Sequence, residues 1–401
     1  ETFQGLANAG NLDFVTAWFK KATDMMDQNP GIQAALVATN SIVQGDQAGI
    51  LWEYLFDRGI EINFAYPTFK WENAAKGKAA VHVVIVGFSK KDSSDAPKKI
   101  IREGGTSTVE QINQYLLDAP DVIIRSRPEP ICAVPKLLFG SMANDGGNLI
   151  LDRHERNTLL HDFPQVEGLV KKYIGAEEFL NGLERWCLWI DNSDLDLIRT
   201  IKPIMERITR VHALRTSSNR LATKNLALTP YRFGEVRQPS SSYLLIPRVS
   251  SELRNYIPMG IFSPDVIASD ATIVMPDIGL YEFGILTSST HMAWMRTVAG
   301  RLEMRYRYSA QIVYNNFPWP NPTPEQRAKI EASAQAILDA RALYPQATLA
   351  DLYDELTMPI ELRKAHQAND RAVWEAYGRA WDPSSEPACV AHLMSLYQKL
   401  A

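Results

Sequence analysis

Ala79-Ala80-Val81-His82-Val83-Val84-Ile85-Val86-Gly87-Phe88 is apolar except at His82 and rich in β-branched residues. Such side chains suit a pleated strand. Working outward, Ile60 to Tyr66 reads as a second strand. Ala34-Ala35-Leu36-Val37-Ala38-Thr39-Asn40 is a short apolar run of the kind a buried strand carries. Helices separate them. Leu12, Val15, Trp18, Phe19 and Ala22 fall at helical spacing within Asn11 to Met26, with Asn11 as a cap and Asn29-Pro30-Gly31 as the stop. Gly45 to Arg58 is helical, and Gly59 occupies its C-cap position. Helix, strand, helix, strand, connection, strand is half of a doubly wound α/β sheet.

A chain of 401 residues has room for two or three units, and a 46% hydrophobic content supplies their cores. The formal net charge is −4, but it is unevenly spread. Residues 201–320 hold 14 basic and 8 acidic side chains, a net of +6 that leaves −10 for the rest. A basic middle in an acidic chain fits a polyanionic partner, and equally a solvated basic face. The three cysteines, Cys132, Cys187 and Cys389, are far apart and form no Cys-x-x-Cys pair. They speak against a disulfide framework or a zinc knuckle and fit a reducing cytoplasm. No metal site is expected. No apolar run reaches the ~18 residues of a membrane span, and no signal peptide is present. The first residue is Glu1, and the opening reads as the middle of a longer protein.

A complete cofactor-binding half would place a glycine-rich turn after a strand. Neither Gly-x-Gly-x-x-Gly nor Gly-Lys-Ser/Thr occurs. The stretch with the most particular chemistry lies far downstream. Arg301-Leu302-Glu303-Met304-Arg305-Tyr306-Arg307-Tyr308 alternates charged and apolar residues. Alternation predicts one strand with an apolar face and a fully charged face. Arginine pairs bidentately with guanine O6 and N7, and glutamate accepts from cytosine N4. This strand can face the edges of DNA bases. It can also be a solvated strand whose Arg and Glu pair with each other.

The motifs resemble a known family. They are Asn11-Leu12-Asp13-Phe14, Asn40-Ser41-Ile42-Val43-Gln44-Gly45, Tyr66-Pro67-Thr68-Phe69-Lys70-Trp71, Asp145-Gly146-Gly147, Arg185-Trp186-Cys187-Leu188-Trp189, Gly284-Ile285-Leu286-Thr287-Ser288-Ser289 and Tyr314-Asn315-Asn316-Phe317-Pro318-Trp319-Pro320. Together they are similar to the MmeI-like combined restriction–modification enzymes, which are γ-type DNA adenine-N6 methyltransferases. The resemblance spans essentially the whole chain. It implies the second half of a class I methyltransferase sheet in residues 1–97, a mixed α+β target-recognition domain in 98–320 and a helical region in 321–401. It also implies an S-adenosylmethionine-dependent enzyme acting on double-stranded DNA, with a nuclease domain upstream in the same polypeptide. The family's glycine-rich cofactor loop and its catalytic Asn-Pro-Pro-Phe/Tyr motif have no counterpart here. Asn315-Asn316-Phe317-Pro318 lacks the double proline. The chain alone is therefore expected to be inactive.

The resemblance also assigns residues. Phe69 matches the aromatic wall that stacks on an adenine taken out of the duplex, with Trp71 as the alternative stacker and a core phenylalanine as the bland reading. Lys70, Lys76 and Lys78 surround these aromatics and suit a phosphate-lined cleft or a solvated loop. Gly300-Arg301-Leu302-x-x-x-Tyr306-Arg307-Tyr308-Ser309 matches a fixed frame. The slots within it hold Glu303, Met304 and Arg305. Arg305 and Glu303 are expected to read one G·C pair. Arg301 and Arg307 are expected to contact phosphates or to be structural.

Elsewhere the reading is plainer. The Pro-punctuated segment Ile112 to Pro135 reads as a surface linker. Asp194 to Thr223 is helical, and its Arg207, Arg210, Arg215 and Arg220 could lie along phosphates or form a solvated face. From Tyr231 short strands alternate with prolines, followed by one helix over Tyr281 to Val298. Thr323 to Tyr344, Leu349 to Tyr353, Pro359 to Tyr377 and Pro387 to Leu400 are helices, with Thr323 a cap and Pro324 at the first helical position. The last segment holds 8 basic and 11 acidic residues and is expected to buttress the recognition domain. A protein-interaction bundle is its rival reading. For the whole chain, a non-catalytic DNA-specificity module working with a separate methylase is the alternative to the enzyme.

Overall fold

The computed structural model describes residues 3, 6, 8–71, 81–91, 93 and 96–401. Its first layer is a five-stranded sheet of β1 (Gln33–Thr39), β2 (Ile60–Trp71), β3 (Val81–Lys90), β4 (Lys98–Arg102) and β5 (Gly105–Val109), in the order β1-β3-β2-β4-β5. The β-branched run is β3. It lies antiparallel to both β1 and β2, with Val37 facing Ile85 and Ile62 facing Phe88. β2 is parallel to β4. Helices α1 (Thr16–Gln28) and α2 (Gly45–Phe56) bury Phe19, Met26, Leu51, Trp52 and Leu55 against this sheet. Phe19 stacks on Phe88 at 5.3 Å, and the Trp52 indole donates to the Ile42 carbonyl at 2.9 Å. Each such ring contributes roughly 1.5–3 kcal/mol of burial.

Strand β2 runs beyond Tyr66, where the sequence pattern ended it. The register against β3 slips between Tyr66 and Phe69, across Pro67, and pairing resumes with Phe69 opposite Val83 and Lys70 opposite His82. A proline has no N–H for the ladder and is accommodated at such an irregularity. The division expected after residue 97 would cut this sheet, because β4 and β5 hydrogen-bond into it.

The first half of the expected linker, Ile112 to Ile124, does not run along the surface, whereas residues 125–135 are exposed or half-buried. Ile112, Asn113, Gln114, Tyr115, Leu116, Val122 and Ile124 are buried. The Asn113 side-chain carbonyl accepts from the backbone N–H groups of Tyr115 and Leu117 at 3.0 and 3.1 Å. That satisfies a turn in which Leu116 takes a φ of +58°. Prolines signal irregular backbone, but its apolar side chains still seek the interior. The Asn-Asn-Phe-Pro stretch closes over this segment. Asn316, fully buried, donates to the carbonyls of Arg125, Gln311 and Ile312 at 2.9–3.0 Å. Asn315 donates to the Arg127 carbonyl at 2.8 Å.

The middle of the chain builds three small sheets. β6 (Leu138–Phe139), β10 (Tyr243–Pro247), β12 (Gly260–Phe262) and β14 (Thr272–Pro276) form one, ordered β12-β10-β14-β6. β7 (Ile150–Leu151), β8 (Val170–Ile174), β9 (Trp186–Leu188) and β13 (Val266–Ala268) form another. β11 (Val249–Ser250), β15 (Gly300–Leu302) and β16 (Arg305–Arg307) form the third, ordered β11-β16-β15. Two arginines of the helix Lys202–Thr216, Arg207 and Arg215, are tied into the protein, while Arg210 is exposed. Arg215 is fully buried, and its guanidinium donates to five carbonyls, those of Ala143, Asn144, Leu226, Thr229 and Arg232, at 2.8–3.0 Å. Arg207 bonds the carbonyls of Asn148 and Ile150 and pairs with Glu155. Arg210 bonds the Asn148 side chain at 2.7 Å. Arg220 is exposed.

The expected helix over Tyr281 to Val298 is two helices, Leu280–Leu286 and Ser289–Val298. Ser288 caps the second by accepting from the His291 N–H at 3.2 Å. The terminal helices Pro324–Ala342, Leu349–Leu352, Ile360–Ala376 and Glu386–Leu400 follow the sequence pattern, and Thr323 caps the first. They pack on that helix pair. A Cβ at Gly284 would lie 2.7 Å from Ile330, so glycine permits the close approach. Asn369 donates to the Gly284 carbonyl at 2.7 Å. No helix among the described residues is long and apolar enough to cross a membrane.

Arg215→Ala would leave five carbonyls, buried or half-buried, short of a donor. Urea denaturation is expected to show a loss of at least about 3 kcal/mol, and Arg215→Lys is not expected to restore it, since an ammonium cannot reproduce the guanidinium fork.

Candidate nucleic-acid interface

Residues 301–308 are not one strand. They form a hairpin in which β15 and β16 pair as Gly300–Arg307, Arg301–Tyr306 and Leu302–Arg305. Glu303 and Met304 make the turn, and Glu303 has φ +57°. The two-residue turn resets which side chains share a face. Cross-strand partners point the same way, so Leu302, Arg305 and Arg307 lie on one face and Arg301 and Tyr306 on the other. The continuous charged face expected from alternation is thereby divided. Arg305 and Arg307 are exposed, while Tyr306 and Tyr308 are buried.

Arg301 goes inward. Its guanidinium stacks 3.8 Å from the centroid of Tyr306 and donates through Nη2 to the Arg296 carbonyl at 3.1 Å. That is a structural clamp from the hairpin to the end of the helix Ser289–Val298. At the tip, Arg305 Nη2 and Glu303 Oε2 pair at 2.9 Å. The two candidate base readers satisfy each other. At the base, the Tyr308 hydroxyl and His291 Nε2 lie 2.9 Å apart, both side chains buried. Burial lowers the His291 pKa to about 3 and raises that of Tyr308 well above the ordinary phenol range, so the pair is neutral. The Tyr308 N–H donates to the Arg248 carbonyl at 2.8 Å, and β11 flanks β16 with Val249 opposite Arg307.

This hairpin forms one side of a cleft of ≈620 Å³. The other side is the turn into α2, with Asn40, Ser41, Gln44, Gly45, Asp46 and Gln47. The two sides meet at glycines. Gly45 has φ +54°, and a Cβ there would lie 3.1 Å from the Gly300 Cα. A side chain on Gly45 would be strained by its φ and would press on the backbone opposite. Burial raises the Asp46 pKa, and Arg307 nearby opposes the rise. Phe139 and Arg248, which the sequence patterns did not single out, also line the cleft. A two-residue strand is too short to show a period, so Phe139 left no signal.

Phe69 lies at the rim of the first sheet, half-buried, in edge contact with Tyr66 at 4.7 Å and tilted against the exposed Trp71 at 6.2 Å. It is not a core residue. Lys70 is exposed beside it. His82, opposite Lys70, has a lowered pKa, first through burial, with Glu252 opposing and Lys70 and Arg301 adding to the fall. The rim that carries Phe69 and Lys70 therefore lies within electrostatic reach of the hairpin. Lys76 and Lys78 lie outside the described residues.

Family models for the MmeI DNA-methyltransferase domain, target recognition domain and C-terminal domain match residues 1–101, 118–321 and 322–401. The chain belongs to the MmeI family. A solved structure of the Type IIL restriction-modification enzyme MmeI in complex with DNA matches it with a TM-score of 0.89 and 44% identity, over 100% of this chain and 54% of that one. DNA methyltransferase A of Bacillus subtilis (strain 168) is 40% identical over 398 residues, which is 99% of this chain and 45% of that protein. The chain thus spans about half the length of these relatives. In MmeI-family terms the cleft lies between the methyltransferase part, which supplies Asn40 to Gln47, and the target-recognition part, which supplies the hairpin.

The neutral His291 gives a pH test. The unfolded imidazole, near pKa 6.5, takes up a proton that the folded one refuses until about pH 3. Its contribution is complete above pH 6.5 and declines as pH falls below that value. His291→Gln is expected to flatten the fall in unfolding free energy between pH 7 and pH 4, relative to the parent chain, in denaturant titrations at each pH.

Proposed function

We propose that this chain is the target-choosing part of a sequence-specific DNA adenine-N6 methyltransferase of a restriction–modification system. The observation that carries the reading is the hairpin tip. Glu303 occupies a left-handed backbone conformation that favours glycine or asparagine, and it does so at an exposed position where packing demands no glutamate. Among the described residues its carboxylate pairs with Arg305 alone, on a support fixed by Tyr306, Tyr308 and Arg301. On DNA, Arg305 donates to guanine O6 and N7 and Glu303 accepts from the partner cytosine N4. Arg307, exposed on the same face as Arg305, contacts a backbone phosphate, and Arg301 holds the frame. Phe69 stacks on the extruded adenine, recovering about 1–3 kcal/mol of the stacking lost on flipping, and Lys70 steadies the adjoining phosphate.

S-adenosylmethionine supplies the methyl group in this reading. The sequence offers no glycine-rich turn to hold it and no Asn-Pro-Pro-aromatic motif to bind the adenine amino group, so no residue here is assigned to either task. A nuclease domain elsewhere in the same polypeptide belongs to the same proposal.

The test uses the complete reading frame in a host without adenine methylation. Direct sequencing of native DNA is expected to show N6-methyladenine in one motif. Absence of modification, from protein that folds and binds DNA, would instead identify a non-catalytic specificity module. Arg305→Ala is expected to cost about 1–3 kcal/mol on the cognate site and to relax one base pair. An equal loss on all sequences would make Arg305 a phosphate contact. Glu303→Asn keeps a residue tolerant of positive φ, so the thermal midpoint is expected to hold or rise while the same base pair relaxes. The purified chain alone is expected to transfer no methyl group to adenine DNA, measured with labelled S-adenosylmethionine.

A further inference from the structure

Phe139 ends the outer strand of its sheet with its ring 44% exposed, next to Leu138 at 42%. Two large apolar side chains on an open strand edge invite unwanted contacts, and edge strands ordinarily avoid them. The backbone beneath is held rigidly. A Cβ on Gly140 would collide with the Ser269 carbonyl, Gly140 donates to the Thr272 carbonyl at 3.1 Å, and Ser141 donates to that of Ala268 at 2.7 Å. The backbone that carries the ring is therefore held in place at the cleft.

Two guanidinium groups flank it, Arg248 at 4.8 Å and Arg237 at 5.9 Å from the ring centroid. Arg237 is already paired with Glu235. Arg248 is tied through Nη1 to the Asp270 carbonyl at 2.9 Å and makes no ion pair among the described residues. Its own carbonyl accepts from Tyr308, which fixes it to the base of the hairpin. An exposed ring beside a cation without a carboxylate partner matches what one nucleotide offers, a base face and a phosphate.

We propose that Phe139 packs on a base at a second opened step, apart from the base pair read by Glu303 and Arg305, while Arg248 holds the neighbouring phosphate. The assignment rests on the DNA-methylation reading above. It adds a contact that supports bending or opening of the duplex without reading sequence.

The test measures binding of the complete polypeptide to duplexes that carry the methylated motif, with 2-aminopurine placed singly at successive positions. Fluorescence is expected to rise at the methylated adenine and at one further position. Phe139→Leu is expected to abolish the second rise, to leave the first, and to weaken binding about five- to hundredfold with the salt dependence unchanged. Arg248→Gln is expected to lower the slope of log K against log salt by about 1. An unchanged second rise and unchanged affinity in Phe139→Leu would overturn the assignment. If Phe139→Leu lowers the thermal midpoint, Phe139→Trp decides. It keeps an aromatic face, so retained affinity and retained second rise support stacking, and loss of both overturns it. Failure of the parent polypeptide to methylate or bind any duplex would count against the underlying reading rather than against Phe139.

Discussion

The contact between the Tyr308 hydroxyl and the neutral His291 imidazole fixes where the hairpin leaves the core, and the rest of the interface follows from it. Both groups are fully withdrawn from water, so each would be costly to bury without the other. His291 belongs to the helix Ser289–Val298, which the C-terminal helices hold from behind. Arg301 ties the opposite strand to the last turn of that helix. The hairpin is thus gripped on both strands, and only its two-residue tip is left free of the core. This arrangement suits a reader of base edges. The frame carries the stability, and the tip can differ without disturbing it.

The tip itself is poised by small energies. The Glu303–Arg305 ion pair is exposed, and such pairs contribute about 0–1 kcal/mol. A bidentate contact to guanine discriminates by roughly 1–3 kcal/mol. In the proposed reading, exchanging the internal pair for a G·C pair favours the cognate base, and a wrong base recovers neither contact.

The chain's central segments show why exposure was harder to read than structure type. Ile112 to Pro135 has the prolines of a linker, but its first half is interior because the last helix closes on Asn113, while residues 125–135 stay nearer the surface under the Asn315–Asn316 amides. Arg215 looks like a surface cation from its neighbours on the helix. It is instead the hub of a loop, because five carbonyls at the ends of separate segments converge there. Neither outcome has a local signature. Each depends on groups brought together from distant positions.

By itself the sequence determined the half-sheet and its helices, through β-branched runs and helical spacing, and the C-terminal helices, through caps such as Thr323 with Pro324. It also pointed to Glu303, Arg305, Arg307 and Phe69, on motif resemblance and on the chemistry of arginine and glutamate. Tertiary structure alone decided that residues 301–308 fold back on themselves. Alternation has the same appearance in a strand and in a hairpin with a two-residue turn, and only pairing fixes which side chains share a face. Tertiary structure also turned Arg301 inward onto Tyr306, set Gly45 against Gly300 and placed Phe139 beside Arg248. The last two join residues more than a hundred positions apart, and the first spans the hairpin turn, so no periodicity within a segment can encode them.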